Sequence, residues 1–365
     1  MQLDFFPSRT LTIYLAKMFV VRIFAVLVTL VLVLMMLDLL SETGDILTPE
    51  GNGQAEIWRY VTLRVPQLIS RFLPYSVLLA TLITLVTLNQ NSEVVAMKAS
   101  GLSAHQVLSP LLLAAALISA LSFAFNERIV TRANSALKAW VAVEYGDIPE
   151  ESGVRANVYL ADGDNILAAS SLVGDGEGIT MDDVTWYRRA PGGLILERVK
   201  ASEATYANPG WALKNPKRFD VGEATVEEID EMVVAQSLTP QRIEVQSADP
   251  DGQGFFELGE TIEAFESLGK RTSELRAKWW HRISGPLSAL LMPLLGSVAA
   301  FGLARSGQLF VRAIIGIGLG FAYFVVDNAA LAMGSFGGYP PFLAAWAPFL
   351  LFLLVGETVL IRTEE

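Results

Sequence analysis

The sequence predicts an α+β membrane protein with six transmembrane helices and a β domain inserted between helices 3 and 4. Six apolar runs without charged residues support this prediction, three before residue 126 and three after residue 282. The runs are residues 23–37, 72–88, 107–125, 283–304, 313–326 and 342–356. At about 1.5 Å per helical residue, the run 107–125 is about 28 Å long, which matches the ~30 Å hydrocarbon core of a bilayer.

The segment between the two clusters of runs has a different composition. Residues 127–278 carry the whole formal net charge of −11, and the remainder is neutral, although 52% of all residues are hydrophobic. Charge confined to one segment indicates a separate water-exposed unit, and its negative sign speaks against a nucleic-acid partner. The chain has no cysteine, which excludes disulfides and thiolate metal sites.

Basic residues near the N-terminus predict the orientation of the first helix. Lys17 and Arg22 precede the first apolar run, as in a signal peptide, but the run leads into MMLDLLSETGD without a small-residue cleavage pattern. A retained transmembrane helix is therefore predicted. Because the following loop is acidic as far as Arg59, the N-terminus is expected in the cytoplasm. Six spans then place residues 89–106 in the cytoplasm and the acidic segment outside.

The acidic segment has the pattern of short strands. Turn signals such as DGDN, APGG and NPG separate runs rich in β-formers: NVYLA, NILAAS, VTWYRR, LILERV, ATYA and EMVVAQ. Regular short strands with such punctuation are typical of a sandwich or jelly roll. From Glu257 the period changes, because Leu258, Ile262 and Phe265 have helical spacing, so polar helical turns are predicted to lead back into the fourth span.

No catalytic motif is found in the sequence. The two histidines, His105 and His281, are far apart and form no H-E-x-x-H motif, so a zinc hydrolase is improbable and each is interpreted as an interfacial side chain. The fragment GKRT lacks the first glycine of a P-loop, and no serine lies in a G-x-S-x-G turn. We therefore expect neither an enzyme nor a metal or nucleotide site in this chain.

Two carboxylates lie at the edges of apolar runs. Asp38 ends the first run, and Asp327 follows Arg312 by fifteen residues, about 22 Å along a helix, which places it near the outer interface. A hydrated carboxylate at a helix end is the favoured interpretation, because a charge at the bilayer centre costs about 2.5–3.5 kcal/mol. A position at an external mouth is the alternative.

The first and fifth spans differ in side-chain size. The fifth contains GIGLGFAY, in which Gly316 and Gly320 would allow a helix or an acyl chain to approach closely, either as ordinary packing or as a gate. The first is rich in bulky residues, including Leu34 and Met35, and such a surface suits lipid or a lipid-like ligand. Any lipid-facing helix would look similar.

The polar stretch NSEVVAMKASGLSAHQ, which begins at Asn91, is predicted to form a short helix. Asn91 or Ser92 would cap it, Glu93 would complement its positive end, and Gly101 would terminate it. Val94 and Met97 make an apolar strip on this helix. The strip is explained by a helix on the membrane surface or by one seated in a groove of another protein.

Three stretches together resemble one family. The segments NSEVVAMKASGLS, KWWHRISGPLSALLMPLL and VRAIIGIGLGFAYFVVDN, followed by GGYPPFLAAWAPFLLF, look like the LptF/LptG family of lipopolysaccharide export permeases. The resemblance covers nearly the whole chain. It implies an inner-membrane, non-catalytic permease with a periplasmic β-jellyroll. Its domains would be residues 1–125, with a coupling helix at about 89–102, then 126–278 and 279–365.

The resemblance also implies partners. These are an LptF-like permease, an LptB-like ATPase dimer that binds ATP and magnesium, and the LptC and LptA jellyroll proteins; lipopolysaccharide is the substrate, and no cofactor is expected in this chain. The implied ATPase-coupling residues are Glu93, as the polar contact, Val94 and Met97, as apolar anchors, and Lys98 and Gly101. The implied lipid cavity or gate residues are Leu34, Met35, Asp38, Gly316, Gly320 and Asp327. Arg305 and Arg312 would contact cytoplasmic partners.

One departure from the family pattern bears on the ligand. Some members place basic residues at the outer end of the first span, suited to lipid phosphates, whereas this chain has MMLDLLSETGD there. Either bases elsewhere serve, or the glycolipid has fewer phosphates at that position. A membrane-anchored periplasmic binding or assembly module remains the alternative function, and it would have no need of a structured cytoplasmic helix.

Overall fold

The computed structural model describes residues 6–146, 155–174, 176–240, 242–243, 250–267, 271–301 and 309–362. The helices used below are α1 (Arg9–Ile46), α2 (Gln54–Gln90), α3 (Glu93–Ala99), α4 (Ala104–Phe125), α5 (Thr131–Ala142), α6 (Phe255–Ser267), α7 (Ser273–Phe301), α8 (Leu309–Ser335) and α9 (Pro341–Arg362). A π-helical turn, Asn126–Val130, joins α4 to α5. The strands are β1 (Arg155–Asp162), β2 (Asn165–Val173), β3 (Thr180–Arg189), β4 (Ile195–Tyr206), β5 (Trp211–Lys214), β6 (Lys217–Asp220), β7 (Thr225–Glu228) and β8 (Met232–Val234).

The described residues contain five candidate membrane spans. They are Arg9–Ile46, Gln54–Gln90, Ala104–Ala142, Ala313–Ser335 and Pro341–Arg362. The chain is therefore a multi-pass helical membrane protein. The sequence predicted six spans, and the fourth of these coincides with α7, which is not among the five. Lys278, His281 and Arg282 precede the apolar residues of α7, and the predicted run 283–304 continues past Phe301, the last described residue of this helix.

The described residues form two compact units. The first comprises residues from 1–39, 64–131 and 254–365, and the second comprises residues from 40–63 and 132–253. Within the first unit α7 packs against α4, α8 and α9. Leu291, Met292 and Leu295 of α7 are completely buried there. A Cβ built at Gly296 would lie 2.6 Å from Cγ2 of Thr81, so glycine allows α7 to approach α2 closely.

The second unit contains an antiparallel sheet inserted between α5 and α6. Its strand order is β1-β2-β3-β4-β5-β8, and β6 pairs with both β4 and β7. The long strand β4 pairs with β6 through residues 197–200 and with β5 through residues 203–206. One face is the core, which includes Leu160, Trp186 and Trp211, and the indole of Trp211 donates to the Leu238 carbonyl at 2.9 Å.

The short runs predicted as strands lie in β1, β2, β3, β4 and β8, whereas β5, β6 and β7 match none of these runs. LILERV and ATYA were predicted as two strands, but they belong to the single strand β4. Alternation explains the difference, because exposed Lys200 lies between the buried Val199 and Ala201, so the polar residues in the middle of β4 face away from the core. β4 also contains Glu197, which is buried and paired with Arg188 at 2.7 Å and Arg218 at 2.9 Å.

The chain leaves and re-enters the first unit at two adjacent points. Glu127, in the π-helical turn, accepts a hydrogen bond from the backbone N–H of Phe255 at 2.7 Å, and Phe255 begins α6. The ring of Phe255 stacks on Trp279 of α7, with centroids 4.7 Å apart. The predicted helical turns are confirmed, since Leu258 and Ile262 are buried against Leu275.

Candidate functional site

The C-terminal end of α3 is fixed by glycine, as the sequence predicted. Gly101 has φ +90°, a left-handed conformation that other residues adopt at a penalty. Its N–H donates to the Lys98 carbonyl at 3.0 Å, and the N–H of Leu102 donates to the Met97 carbonyl at 3.2 Å. This pair of bonds is a Schellman motif, which satisfies two carbonyls at the helix end. The helix α3 is thus a complete element between two candidate spans.

The N-terminal end of α3 differs from the prediction. Ser92 is the N-cap residue, one of the two predicted positions, but it has φ 59° and its side chain makes no capping bond. Only two residues separate α2 from α3, and this reversal holds Ser92 in the left-handed region rather than in the extended conformation of an N-cap. The next helix has the cap instead: Ser103 and Gln106 form a capping box at the start of α4. The S-x-x-Q spacing was visible in the sequence.

The apolar strip of α3 faces its own chain. Val94 and Met97, predicted to anchor a partner, are 4% and 8% exposed, and α3 packs beside α4. Spacing correctly predicted an apolar face, but it could not show that this chain covers it. The opposite face is accessible, because Val95 is 55% exposed and Ala96, Lys98 and Ala99 are also exposed. Val95 is therefore the apolar side chain that α3 presents outward.

Glu93 lies at the junction of three elements. Its carboxylate accepts a hydrogen bond from the hydroxyl of Tyr14 in α1, with oxygen–oxygen distances of 3.2 and 3.5 Å. The amide nitrogen of Asn91 donates to the same carboxylate at 3.3 Å. Glu93 is half-buried, so part of it faces solvent. The contact of Tyr14 with Glu93 was not predicted from the sequence, because the two residues are 79 positions apart.

Asp38 is not a simple hydrated carboxylate. Arg64 of α2 lies against it, with Nε 2.6 Å from Oδ2 and Nη2 3.1 Å from Oδ1. Two parallel hydrogen bonds of this kind are the strongest form of carboxylate pairing. Arg64 also donates to Gln67 at 2.8 Å. The outer end of the first predicted span therefore has a base beside it, contributed by α2, and Asp38 pairs with this base.

The hydrated-carboxylate interpretation of Asp327 is wrong. The residue is 6% exposed, and its Oδ2 lies 3.0 Å from Nε2 of His281 in α7. Oδ1 has no hydrogen-bond partner among the described residues. Tyr323, one turn earlier in α8, is completely buried. A carboxylate can be buried here because α7 supplies a polar partner, and no local pattern of residues indicates this pairing.

The predicted lipid-facing residues fall into two groups. Leu34 is half-buried, whereas Met35 is buried within this chain. A stripe of apolar side chains along α1 is exposed instead: Val21, Phe24, Val28, Leu32, Met36 and Leu40. This stripe has the i, i+4 spacing of one helix face.

The glycines of α8 differ in their surroundings. Gly316 is buried, and a Cβ at Gly320 would overlap the side chain of Leu78, so Gly320 lets α8 pack closely on α2. This supports the packing interpretation of Gly320. Gly318 faces open space. Arg312 lies in the first turn of α8, and Arg305 lies outside the described residues.

Comparisons with known proteins agree on one family. The family model for the lipopolysaccharide export system permease LptF/LptG matches residues 13–362. The lipopolysaccharide export system permease protein LptG of Escherichia coli strain K12 is 27% identical over 317 residues, covering 83% of this chain and 84% of the relative. The protein of the same name from Haemophilus influenzae is 26% identical over 378 residues, covering 98% and 99%. Since the family model covers nearly all of the sequence, the chain belongs to the LptF/LptG family and is an inner-membrane permease of the lipopolysaccharide export system, a non-catalytic subunit of an ABC transporter.

Proposed function

We propose that the chain is the LptG-type permease of its transporter, which extracts lipopolysaccharide from the inner membrane and passes it to a periplasmic bridge. Family membership supports the transport role, and both relatives described above carry the LptG name. An LptF-like permease would be the second membrane subunit. The LptC and LptA jellyroll proteins would receive the lipid.

The proposed architecture has six spans and a periplasmic β-jellyroll. The packing of α7 supports a sixth span, because α7 lies against three helices that belong to candidate spans, and its 29 residues extend about 43 Å at the standard rise. The antiparallel sheet with its apolar core supports the jellyroll. The proposed domains are residues 1–125, 126–278 and 279–365.

The exposed stripe of α1 is the proposed surface for lipid or for the second permease. Its six exposed side chains are all uncharged, and they suit acyl chains or an apolar helix equally. Leu34 borders it. Gly320 and Asp327 are used in this chain's own packing, so we do not include them among the lipid contacts. Arg305 and Arg312 stay predictions for contact with a cytoplasmic partner.

The helix α3 is the proposed docking element for an LptB-like ATPase dimer, which would bind ATP and magnesium. The observation that supports this most directly is the two-sided character of α3. One side, with Val94 and Met97, is buried in this chain, and the other side presents Val95, while the half-buried carboxylate of Glu93 lies at the N-terminal end of the helix. A short helix with an exposed apolar side chain and a partly accessible carboxylate at its first residue matches a helix seated in a groove with a basic residue near one end.

The test is retention of the ATPase by variants of the full-length chain. Val95→Asp places a charge in the proposed interface, and Glu93→Ala removes the proposed polar contact. The matched control is Val226→Asp, since Val226 is also an exposed valine but lies on β7 of the inserted sheet. Each variant is purified through a tag, checked for monodispersity by size exclusion, and assayed for bound ATPase.

We expect Val95→Asp and Glu93→Ala to lose most of the bound ATPase while Val226→Asp keeps it. Wild-type retention and wild-type ATPase stimulation in both α3 variants would refute the docking assignment. A chain that never retains an ATPase or a homologous permease, whatever the variant, would instead support the anchored periplasmic module.

A further inference from the structure

The hydroxyl of Tyr14 holds the carboxylate of Glu93 from one side. The phenol oxygen is 3.2 Å from Oε2, and the side-chain amide of Asn91 donates to Oε1 at 3.3 Å. A carboxylate offers about four acceptor positions, so these two bonds leave room for a further donor. Glu93 therefore has a defined side-chain conformation while part of its surface still faces solvent.

The ring of Tyr14 contributes little to packing. Its residue is 45% exposed, whereas the neighbouring Leu15, and Phe19 and Ile23 on the following turns, are completely buried. These three residues fix the first turns of α1 against the rest of the chain. The hydroxyl of Tyr14 is thus presented from an anchored helix, and its specific contact is the bond to Glu93.

We propose that Tyr14 is a positioning residue that holds Glu93 ready for a basic side chain of the ATPase. The inference rests on the proposed function of α3 as a docking helix. A free glutamate loses several rotamers when it binds, and a partner must offset that loss of entropy. Tyr14 restricts those rotamers before docking occurs, so the ATPase binds more tightly than it would to an unrestrained glutamate.

The substitution Tyr14→Phe tests this inference, because it removes the hydroxyl and keeps the ring. Ordering one side chain accounts for about a 2- to 10-fold change in affinity. We therefore expect Tyr14→Phe to raise the Kd for the ATPase by about that factor. The ATPase rate at saturation should stay at the wild-type level, because the docked complex itself is unchanged.

The measurement is a titration of the full-length chain, paired with its partner permease in detergent, with the purified LptB-like ATPase of the same organism. Four forms are compared: wild type, Tyr14→Phe, Glu93→Ala and the double variant. The matched control is Tyr159→Phe, which removes the hydroxyl of an exposed tyrosine in β1. A double-mutant cycle then separates an effect through Glu93 from an effect on α1 itself.

Each outcome has one interpretation. A Kd increase in Tyr14→Phe that disappears in the Glu93→Ala background supports the inference. An unchanged Kd in Tyr14→Phe, when Glu93→Ala still weakens binding, overturns the inference and leaves the docking role of α3 intact. A Tyr14→Phe effect of the same size in both backgrounds also overturns it, because the hydroxyl would then act independently of Glu93. Wild-type affinity in Glu93→Ala would refute the docking role itself.

Discussion

Replacing His281 by alanine would leave Asp327 buried without the imidazole that now lies against it. In the folded chain Nε2 of His281 is 3.0 Å from Oδ2 of Asp327. The carboxylate is 6% exposed, and its other oxygen has no hydrogen-bond partner among the described residues. No charged residue of the same turn could replace the lost contact, since Val325, Val326 and Asn328 are its neighbours.

The size of the effect follows from the burial of the two partners. Removing one member of a buried pair typically destabilises a protein by about 3–5 kcal/mol. The side chain of His281 is 30% exposed, so solvent partly screens the pair. We therefore expect a loss near the lower end, about 3 kcal/mol. Combining His281→Ala with Asp327→Asn should recover part of the lost unfolding free energy, because burying a neutral amide without a partner destabilises the folded state by only about 1–3 kcal/mol.

The assay is denaturant unfolding of the full-length chain in detergent micelles, with the midpoint and slope compared between variants. The chain supplies a matched control in His105→Ala. Nε2 of His105 lies 3.4 Å from Glu357, but both side chains of this pair are about one-third exposed. An exposed ion pair contributes about 0–1 kcal/mol, so this control should change the midpoint little.

Two results would refute the reasoning about His281. A loss no larger than that of His105→Ala would mean that water or another group already satisfies Asp327. A double variant as unstable as His281→Ala alone would mean that the loss comes from the missing imidazole volume beside Gly285, where an added Cβ would be 3.3 Å from the ring.

Two further predictions concern α8 and the inserted sheet. Gly320→Ala should destabilise the chain by about 1–3 kcal/mol, because the new methyl group overlaps the buried Leu78. The control Gly318→Ala adds a methyl group that enters open space on the same helix, so it should be neutral or slightly stabilising. Thermal unfolding of both variants tests the two expectations. In the sheet, the hydrogen bond from Lys200 at 2.9 Å holds the pKa of the Asp183 carboxyl below its usual range. Such a pair stabilises the folded state above the unfolded-state pKa and stops doing so as pH falls through the folded-state pKa. Lys200→Met should therefore lower stability by up to ~0.5 kcal/mol at neutral pH and leave it unchanged in strong acid, as denaturant titrations at the two pH values would show.

Local patterns in the sequence predicted the elements whose structure depends on neighbouring residues. Strands β1 to β4 and β8 of the inserted sheet followed from strand-forming runs and turn residues, and the end of α3 followed from Gly101. The merging of two predicted strands into β4 was missed, because the polar Lys200 lies mid-strand on its outer face. The spacing of apolar residues shows which of them share one face of a helix or strand, but it does not show which part of the protein covers that face.

Contacts between distant residues explain the remaining errors. Val94 and Met97 share a face as predicted, but the face is covered by helices of the same chain. Asp327 was placed by counting from Arg312, and its partner His281 is 46 residues away in another helix. Neither contact can be predicted from the neighbouring residues, because the helices that bring the residues together are positioned by packing along their whole length.

The bond between Glu127 and Phe255 has a consequence for how the inserted sheet could be exchanged. The two residues are 128 positions apart, yet the carboxylate of Glu127 accepts the hydrogen bond of the backbone N–H of Phe255, the first residue of α6. The two ends of the insertion are therefore held together by a contact within the first unit. The entropy cost of closing a loop grows only as the logarithm of its length, so a change in the length of the insertion alters this cost little. The strands between α5 and α6 are accordingly free to lengthen, shorten or be replaced by another folded domain, whereas α5 is not, because it belongs to a candidate span and Tyr145 beyond it donates to Glu42 at 2.6 Å. This is the arrangement of a permease whose inserted sheet can evolve separately from its membrane helices.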